Sequence, residues 1–223
     1  MMSVRTRTIV IGDIHGCLEE LQDLLSATGA APADQLICVG DLLGKGPDSG
    51  GVLRWAKGTP NLRCVLGNHE DRLLRAWRAG KTPDEKSSDT ETARQLGASF
   101  GEAMQFVSEW PLFIEEDDFI VVHAGLDPKI AQLDRQSRET LLTIRTLQDG
   151  KTPWYEEYSG KKLVLFGHWP RPAPVRRTNA VGLDTGCVYG GSLAAMILPE
   201  RRLVCVPARK SYRTKKDWPS ELR

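Results

Sequence analysis

The chain has 223 residues, of which 40% are hydrophobic, and its 30 basic and 29 acidic residues give a formal net charge of +1. This length suits one domain with a substantial core, so we predict a single domain over residues 1–223. The balanced charge argues against a general attraction to nucleic acid or membrane surfaces. We see neither a bilayer-spanning apolar stretch nor a signal-peptide core, and we expect a soluble protein.

The five cysteines are odd in number, scattered along the chain and free of any C-x-x-C pair. This pattern favours a reducing compartment. We therefore expect a cytoplasmic protein in which most cysteines serve as small core residues.

The first predicted strand spans residues 6–12, and helical spacing follows it. Leucines recur on one face of the helical segment, which predicts an amphipathic helix; they are Leu18, Leu21, Leu24 and Leu25. Gly29 is the expected end of this helix, because glycine readily adopts the left-handed conformation that closes a helix.

Two further strand–helix units follow. An apolar run over residues 35–39 predicts the second strand, and residues 47–49 predict a turn that opens a helix. The third run is predicted to end at residues 68–70, with a helix continuing through Leu73 and Leu74. This alternation predicts an α/β sheet with parallel neighbouring strands.

Residues 80–95 are polar, so we predict a surface loop that is a candidate lid or substrate-contacting insert. Helical spacing returns before residue 111, and residues 80–111 together are predicted to form an insert near the site. The basic segment 207–223 is interpreted as a solvated tail. The alternative is a positive rim that attracts polyanions.

The second half of the chain contains more apolar runs. Residues 119–122 and 163–166 predict a fourth and a fifth strand, with a short helix around residues 141–145 between them. Residues 180–206 alternate enough to form strands, with a hairpin turn at Pro199 and Glu200.

Polar side chains stand at the ends of these predicted strands. All four histidines directly follow an apolar run, and three further polar residues occupy equivalent breaks: His15, His69, His123, His168, Asp13, Asp41 and Asn68. One histidine at a strand end is usually structural. The whole set can converge, however, because the carboxyl ends of strands in open α/β sheets gather ligands.

A mixture of imidazole and carboxylate ligands suits Mn²⁺, Fe, Zn²⁺ or Co²⁺ better than Ca²⁺ or Mg²⁺. The set contains no cysteine, which argues against a closed structural zinc site. Two cations about 3.5–4 Å apart need a shared anionic ligand, and such a pair polarises phosphoryl oxygens. We predict two divalent metal ions, with Mn²⁺ as the first choice and Asp41 as the shared ligand.

Five short motifs follow one another in the order found in a known family. They are Gly12-Asp13-Ile14-His15-Gly16, Gly40-Asp41 to Gly46, Gly67-Asn68-His69-Glu70, His123-Ala124-Gly125 and Gly167-His168. With residues 183–191, they resemble the phosphoprotein phosphatase branch of the calcineurin-like metallophosphoesterases over nearly the whole chain. The resemblance implies an α/β fold in which mixed β-sheets are sandwiched between helices (αββα).

The resemblance also implies how the metals are divided. One metal would be held by Asp13, His15 and His168, the other by Asn68 and His123, and both by Asp41. A hydroxide between the metals would attack phosphorus in line, without a covalent enzyme intermediate.

The remaining roles are implied in the same way. His69 would protonate the leaving oxygen. Lys45 stands where the family's first phosphate-binding arginine is usual, and Arg145 is the candidate for the second; the alternative for Arg145 is a solvated helix charge. Glu70 is expected to orient its neighbours rather than bind metal.

Two departures from the family pattern bear on the substrate. Gly44-Lys45 replaces an Asp-Arg pair whose carboxylate would orient His69, which argues against typical protein-phosphatase chemistry. Lys45 is a point charge that still binds phosphate. These residues, with Gly-His-Trp at 167–169, are more similar to the bacterial symmetrical diadenosine tetraphosphatases and their ApaH-like relatives.

We therefore predict a dinuclear-metal phosphohydrolase that cuts diadenosine tetraphosphate to two ADP. The alternatives are a bacterial Ser/Thr protein phosphatase, an endopolyphosphatase and a non-enzymatic binding module. The expected partner is a dinucleoside polyphosphate, with a phosphoprotein or polyphosphate as alternatives; neither a membrane nor sequence-specific nucleic acid is expected. The chain is shorter than typical symmetrical tetraphosphatases between His123 and His168, which leaves less chain to cover a substrate.

Overall fold

The computed structural model describes residues 7–81, 88–214 and 218. The strands are β1 (Thr8–Ile11), β2 (Gln35–Cys38), β3 (Leu62–Cys64), β4 (Phe113–Glu115), β5 (Phe119–Val122), β6 (Leu163–Phe166), β7 (Val175–Arg176), β8 (Ala180–Gly182), β9 (Ser192–Leu198) and β10 (Arg202–Pro207). The α-helices are α1 (Leu18–Thr28), α2 (Ser49–Lys57), α3 (Asn68–Arg78), α4 (Ser88–Leu96), α5 (Phe100–Ser108) and α6 (Arg138–Thr143). Short 3₁₀ turns occupy Gly97–Ser99, Leu133–Arg135 and Trp154–Glu156.

The strands form two mixed five-stranded sheets. The first has the order β10-β9-β1-β2-β3, in which β1, β2 and β3 are parallel, β9 is antiparallel to β1, and β10 is antiparallel to β9. The second has the order β4-β5-β6-β8-β7, with a parallel centre and antiparallel edge strands. The parallel centres confirm the prediction from strand–helix alternation. They also collect the carboxyl ends of their strands at one edge of each sheet.

Alternating residues of the strands face different layers of the core. Ile9 of β1 packs in a cluster with Leu24 of α1, between the first sheet and its helices. Its neighbour Val10 packs with Leu165 of β6, between the two sheets. A third cluster, which includes Trp154, covers the other face of the second sheet. This layering confirms the predicted arrangement of two mixed sheets between helical layers.

Several boundaries agree with the predictions. Helix α1 is closed by Gly29 in the left-handed conformation, with φ of 63°. Strand β6 has the predicted bounds 163–166. Strands β9 and β10 form the predicted hairpin, in which Arg202 pairs with Ile197. The edge strands β4 and β7 were not predicted, because three and two residues are too few to show a period.

The prediction that the third strand reaches residues 68–70 is wrong. Strand β3 ends at Cys64, and helix α3 begins at Asn68, so His69 and Glu70 lie in the first helical turn. The apolar run continues through Val65 and Leu66, which are buried but are not part of the strand. The prediction placed the end of the strand too late because it treated the whole buried apolar run as strand.

The prediction of a loop over residues 80–95 is wrong for its second half, where α4 spans Ser88–Leu96. Residues 82–87 lie outside the described residues. Polar contacts hold α4 in place: the Gln95 side chain accepts from the Ser49 N–H (2.8 Å) and donates to the Gly46 carbonyl (3.0 Å). A helix fixed mainly by polar contacts has too weak an apolar pattern to be recognised from sequence.

The basic segment 207–223 makes specific contacts with the domain where it is described, although the side chains of Arg209, Lys210 and Arg213 are exposed, as the solvated-tail interpretation expects. The Arg209 N–H and the Tyr212 hydroxyl both donate to the buried Glu20 carboxylate of α1 (3.0 and 2.8 Å). Arg213 then donates to the Lys45 carbonyl (2.8 Å). Residues 215–217 and 219–223 lie outside the described part.

Among residues 7–81, 88–214 and 218, no helix combines the length and apolar character that a membrane span requires.

The packing of α1 predicts a contrast between two adjacent leucines. Leu24 is fully buried, whereas Leu25 is only partly buried. We expect Leu24→Ala to lower the free energy of unfolding by about 2–5 kcal/mol, because it leaves a cavity between α1 and the first sheet. Leu25→Ala, the matched control, should cost less than half as much in urea unfolding. Equal losses would show that α1 does not bury the face described above.

Candidate active site

The loops that follow the parallel strands meet at one place, and backbone hydrogen bonds connect them. The His15 N–H donates to the Asp41 carbonyl (2.8 Å), and the Gly167 N–H donates to the His123 carbonyl (2.8 Å). The His168 N–H connects the two sheets by donating to the Asp13 carboxylate, at 3.2 and 3.1 Å from its two oxygens. A Cβ at position 167 would overlap that carboxylate, which explains the glycine there.

Asp41 lies at the centre of this cluster, with only 2% of its side chain exposed. Its Oδ1 accepts the His69 backbone N–H (3.0 Å). Three histidine Nε2 atoms surround the carboxylate: that of His15 at 3.5 Å, that of His123 at 3.6 Å and that of His69 at 4.0 Å. Two groups with metal-ligand spacing share Asp41, one completed by His15 and His69, the other by Asp13 and His123.

The backbone of the site is strained. Four of its non-glycine residues have positive φ: His15 (48°), Asp41 (51°), Lys45 (62°) and His168 (67°). Among the described residues, only one other non-glycine position, Arg201, shares this conformation. Such backbone persists only where the surrounding structure holds it, and it is concentrated at functional sites.

Two histidines are oriented by backbone carbonyls. Nδ1 of His123 lies 2.9 Å from the Val39 carbonyl, and Nδ1 of His15 lies 3.3 Å from the Leu43 carbonyl. A carbonyl only accepts, so each Nδ1 carries a ring hydrogen. In His15, Nε2 then presents a lone pair, and the Lys45 ammonium lies 3.0 Å from it. Metal-binding histidines are typically oriented in this way.

Asn68 shows that His168 is grouped differently from the expected division. The Asn68 Oδ1 lies 2.8 Å from Nε2 of His123 and 2.9 Å from Nδ1 of His168, and these two rings are in edge-to-face contact. His168 therefore lies with Asn68 and His123, not with His15 as the sequence analysis expected. The reason is that β5 and β6 are adjacent parallel strands, so the residues that follow them are neighbours.

The histidines of the site are neutral near pH 7. Burial away from water lowers the pKa of His69 to about 4 and that of His168 to about 3. Burial also lowers the pKa of His15 and that of His123. Neutral rings keep lone pairs available for binding cations.

Three carboxyl groups around Asp41 shift in the opposite direction, whereas, against the effect of burial, nearby positive groups hold the pKa of Asp41 itself below its usual range. Burial and the neighbouring negative charges raise the pKa of Asp13 well above its usual range. Burial raises the pKa of Asp184 to about 6, and burial together with the charge of Asp41 raises that of Glu70 to about 8. Buried acids close to one another, beside neutral imidazoles, form a site that divalent cations would stabilise. The donor atoms present therefore fit the metal ions predicted from the sequence.

Glu70 holds the loop that carries Asp41. Its two carboxylate oxygens accept the N–H groups of Asp41 (3.0 Å) and Leu43 (2.8 Å). The side chain is fully buried. These contacts agree with the expectation that Glu70 orients its neighbours.

Of the two predicted phosphate-binding residues, Lys45 is largely buried in the site and Arg145 is exposed at its edge. The Lys45 Nζ lies 3.0 Å from Nε2 of His15 and 5.5 Å from the centre of the Tyr189 ring. Although burial opposes its charge, Asp41 and the other nearby acidic groups raise the pKa of Lys45. Arg145 is exposed and lies beyond the end of α6 at Thr143, so it is not a helix residue. Its charge still acts on His168, whose pKa it helps to lower.

Three residues of this region were missed by sequence reasoning. Asp184 is buried within the electrostatic reach of Lys45 and Asp13, and it follows β8 as Asp13 follows β1. That shared position was the available signal. Arg72 lies 3.0 Å from Nδ1 of His69 and is bound by Asp89 of α4. No sequence pattern joined those residues.

The comparisons with known proteins agree with this geometry. The family model for the calcineurin-like phosphoesterases matches residues 6–206. The chain is 30% identical to the asymmetrical bis(5'-nucleosyl)-tetraphosphatase PrpE of Halalkalibacterium halodurans, over 90% of this chain and 94% of that protein. It is also 30% identical to the symmetrical bis(5'-nucleosyl)-tetraphosphatase of Vibrio campbellii, over 83% of this chain and 93% of that protein.

Solved structures show the same fold. A crystal structure provisionally assigned as a diadenosine tetraphosphatase has a TM-score of 0.82 at 34% identity, over 93% of this chain and 96% of that chain. A protein serine/threonine phosphatase from Saccharomyces cerevisiae has a TM-score of 0.62 at 17% identity, which shows similarity of fold alone. From the family match over most of its length and the agreement in fold, we conclude that the chain belongs to the calcineurin-like phosphoesterase family.

Proposed function

We propose that this chain is a dinuclear-metal hydrolase of dinucleoside tetraphosphates. The observation that carries the proposal is the position of Asp41, whose carboxylate is shared by two groups of ligand-type side chains. The names of the relatives of both cleavage types support the substrate class.

The metal ligands we propose are those predicted from the sequence, with His168 moved to the set of Asn68 and His123 because its Nδ1 lies 2.9 Å from the Asn68 Oδ1. Asp13 and His15 would serve one metal, Asn68, His123 and His168 the other, and Asp41 both. When bound, such a pair supplies Lewis acidity toward phosphoryl oxygens and water that is reactive near neutral pH. The mixture of nitrogen and oxygen donors supports Mn²⁺ as the native ion, with Fe, Zn²⁺ and Co²⁺ as alternatives.

Three side chains of the protein would bind the phosphates and act on the leaving group. The ammonium group of Lys45, buried beside Asp41, would bind a phosphoryl oxygen of the substrate. Arg145, exposed near His168, would contact the phosphates at the edge of the site. His69, whose Nε2 faces Asp41, would act on the oxygen that leaves phosphorus.

The substrate is tested by product analysis with Mn²⁺ and three compounds in parallel: diadenosine tetraphosphate, a phosphoserine peptide and polyphosphate. We expect rapid cleavage of diadenosine tetraphosphate, with two ADP as the products that the sequence analysis predicts. ATP and AMP as products would instead indicate asymmetrical cleavage, the type for which the PrpE relative is named. Turnover of the phosphopeptide or polyphosphate alone would contradict the proposed substrate class.

The role of Asp41 predicts loss of metal on a nearly isosteric change. In Asp41→Asn the shared oxygen loses its charge, so we expect less bound metal by mass spectrometry and no detectable turnover. The matched control is Asp134→Asn, in the exposed turn Leu133–Arg135, which should keep both. Full metal content with full activity in Asp41→Asn would rule out a shared ligand at this position.

Two histidine variants separate a metal ligand from a residue that acts on the leaving oxygen. We expect His69→Asn to slow turnover by roughly 10²–10⁴-fold with metal content unchanged, because it removes a group that acts on the leaving oxygen. His123→Asn should lose metal as well as activity. Because Nε2 of His69 is also within ligand distance of Asp41, metal loss in His69→Asn would reassign His69 as a ligand.

A further inference from the structure

The His69 ring is bordered by Gly44 on one side of Nδ1. A Cβ at position 44 would lie 3.3 Å from that nitrogen, so even the smallest side chain would press on the ring. Gly44 also has φ of 90°, a conformation that other residues rarely adopt. Gly44 therefore supplies no side chain to His69, and the partner of Nδ1 comes from elsewhere.

That partner is Arg72, one turn further along α3. Its Nη2 lies 3.0 Å from Nδ1 of His69. The same guanidinium is bound by both carboxylate oxygens of Asp89, with Nη2 at 2.6 Å from Oδ1 and Nε on Oδ2. The Asp89 side chain is only 7% exposed, and it belongs to α4, which is fixed by its own contacts to residues 46 and 49. A planar guanidinium bound at two points has a fixed orientation.

The direction of this hydrogen bond determines where the ring hydrogen of His69 lies. A guanidinium has donors only, so Nδ1 of His69 must accept. In the neutral ring, the single hydrogen is then on Nε2. That atom is on the side of the ring that faces Asp41, at 4.0 Å from Oδ2. His69 thus presents one N–H to the place where the substrate would react.

We propose that Arg72, anchored by Asp89, is a positioning residue that holds His69 as an Nε2–H donor, and that this arrangement selects phosphoanhydrides over alkyl phosphomonoesters. The inference rests on the proposed function and gives a structural reason for its substrate class. It concerns the orientation of one ring by two side chains, and each of the contacts involved is present among the described residues.

The selectivity follows from the leaving group. In hydrolysis, water forms the new bond to phosphorus and releases a proton to solvent, while the bond to the leaving oxygen breaks and its electron pair stays on that oxygen. A nucleoside phosphate leaves as a stable anion, so a hydrogen bond from Nε2–H suffices. An alkoxide needs the proton itself, and a neutral imidazole that gave it up would become an imidazolate. His69 held in this form therefore favours anhydrides.

The tautomer is measured directly in the metal-free protein. Long-range ¹H–¹⁵N correlation spectra of protein labelled at histidine report which ring nitrogen carries hydrogen, and His69→Asn assigns the His69 signals. We expect hydrogen on Nε2 alone in the unmodified chain and a mixture of tautomers in Arg72→Ala. The matched control, Arg75→Ala, removes an exposed arginine of the same helix that pairs with Asp71, and it should leave the spectrum unchanged.

The kinetic test compares two substrates in the metal-loaded protein. We expect Arg72→Ala to lower kcat for diadenosine tetraphosphate about tenfold, the effect of one lost hydrogen bond, with little change in KM. The ratio of its activity to that on a phosphoserine peptide should fall, and Arg72→Lys should restore part of it. Asp89→Asn, which weakens the anchor, should act in the same direction and serves if Arg72→Ala does not fold.

The two proposals fail in different ways. If the unmodified protein does not cleave diadenosine tetraphosphate, the proposed function fails, while the tautomer measurement still decides the role of Arg72. If the ring hydrogen of the unmodified protein is on Nδ1, the inference is overturned even when the proposed function holds. An equal loss on both substrates in Arg72→Ala would likewise overturn it, because that is the result of a merely structural role.

Discussion

The structure depends on the burial of one carboxylate, that of Asp41, where the strand ends of the two sheets meet. A buried charge is costly unless it is compensated; here the Lys45 ammonium favours the charged form of Asp41, and bound cations would complete the compensation. The His69 N–H donates to it, and Nε2 atoms of three histidines surround it. Glu70 accepts the N–H groups of Asp41 itself and of Leu43, and so fixes the strained loop that presents the carboxylate. A site built in this way is prepared for cations before they bind.

The fold holds the strained loops of the site in place. Parallel strands at the centres of both sheets end at the same edge, and an apolar layer that includes Val10 and Leu165 lies between the sheets. Contacts between the sheets then occur at the site itself, where the His168 N–H donates to Asp13. The stability of the cores and the geometry of the site are therefore coupled, because moving one sheet would separate the two halves of the donor set.

Sequence reasoning succeeded where the signal is local. An apolar run that ends in Gly with Asp, Asn or His nearby is visible in one short segment, and all the side chains predicted as metal ligands lie together in the structure. It failed where the information lies in strand order: His168 is grouped with His123 because β5 and β6 are adjacent, which no single segment reveals. Helix α4 and the Arg72–Asp89 pair were missed for a similar reason, since polar contacts between distant residues leave no periodic pattern.

The central claim is that two cations share the Asp41 carboxylate. The most direct measurement is anomalous scattering from crystals of the Mn²⁺-loaded protein. We expect two peaks about 3.5–4 Å apart, one near Asp13 and His15 and one near Asn68, His123 and His168, with an oxygen of Asp41 between them. A single peak, or peaks that Asp41 does not contact, would contradict it.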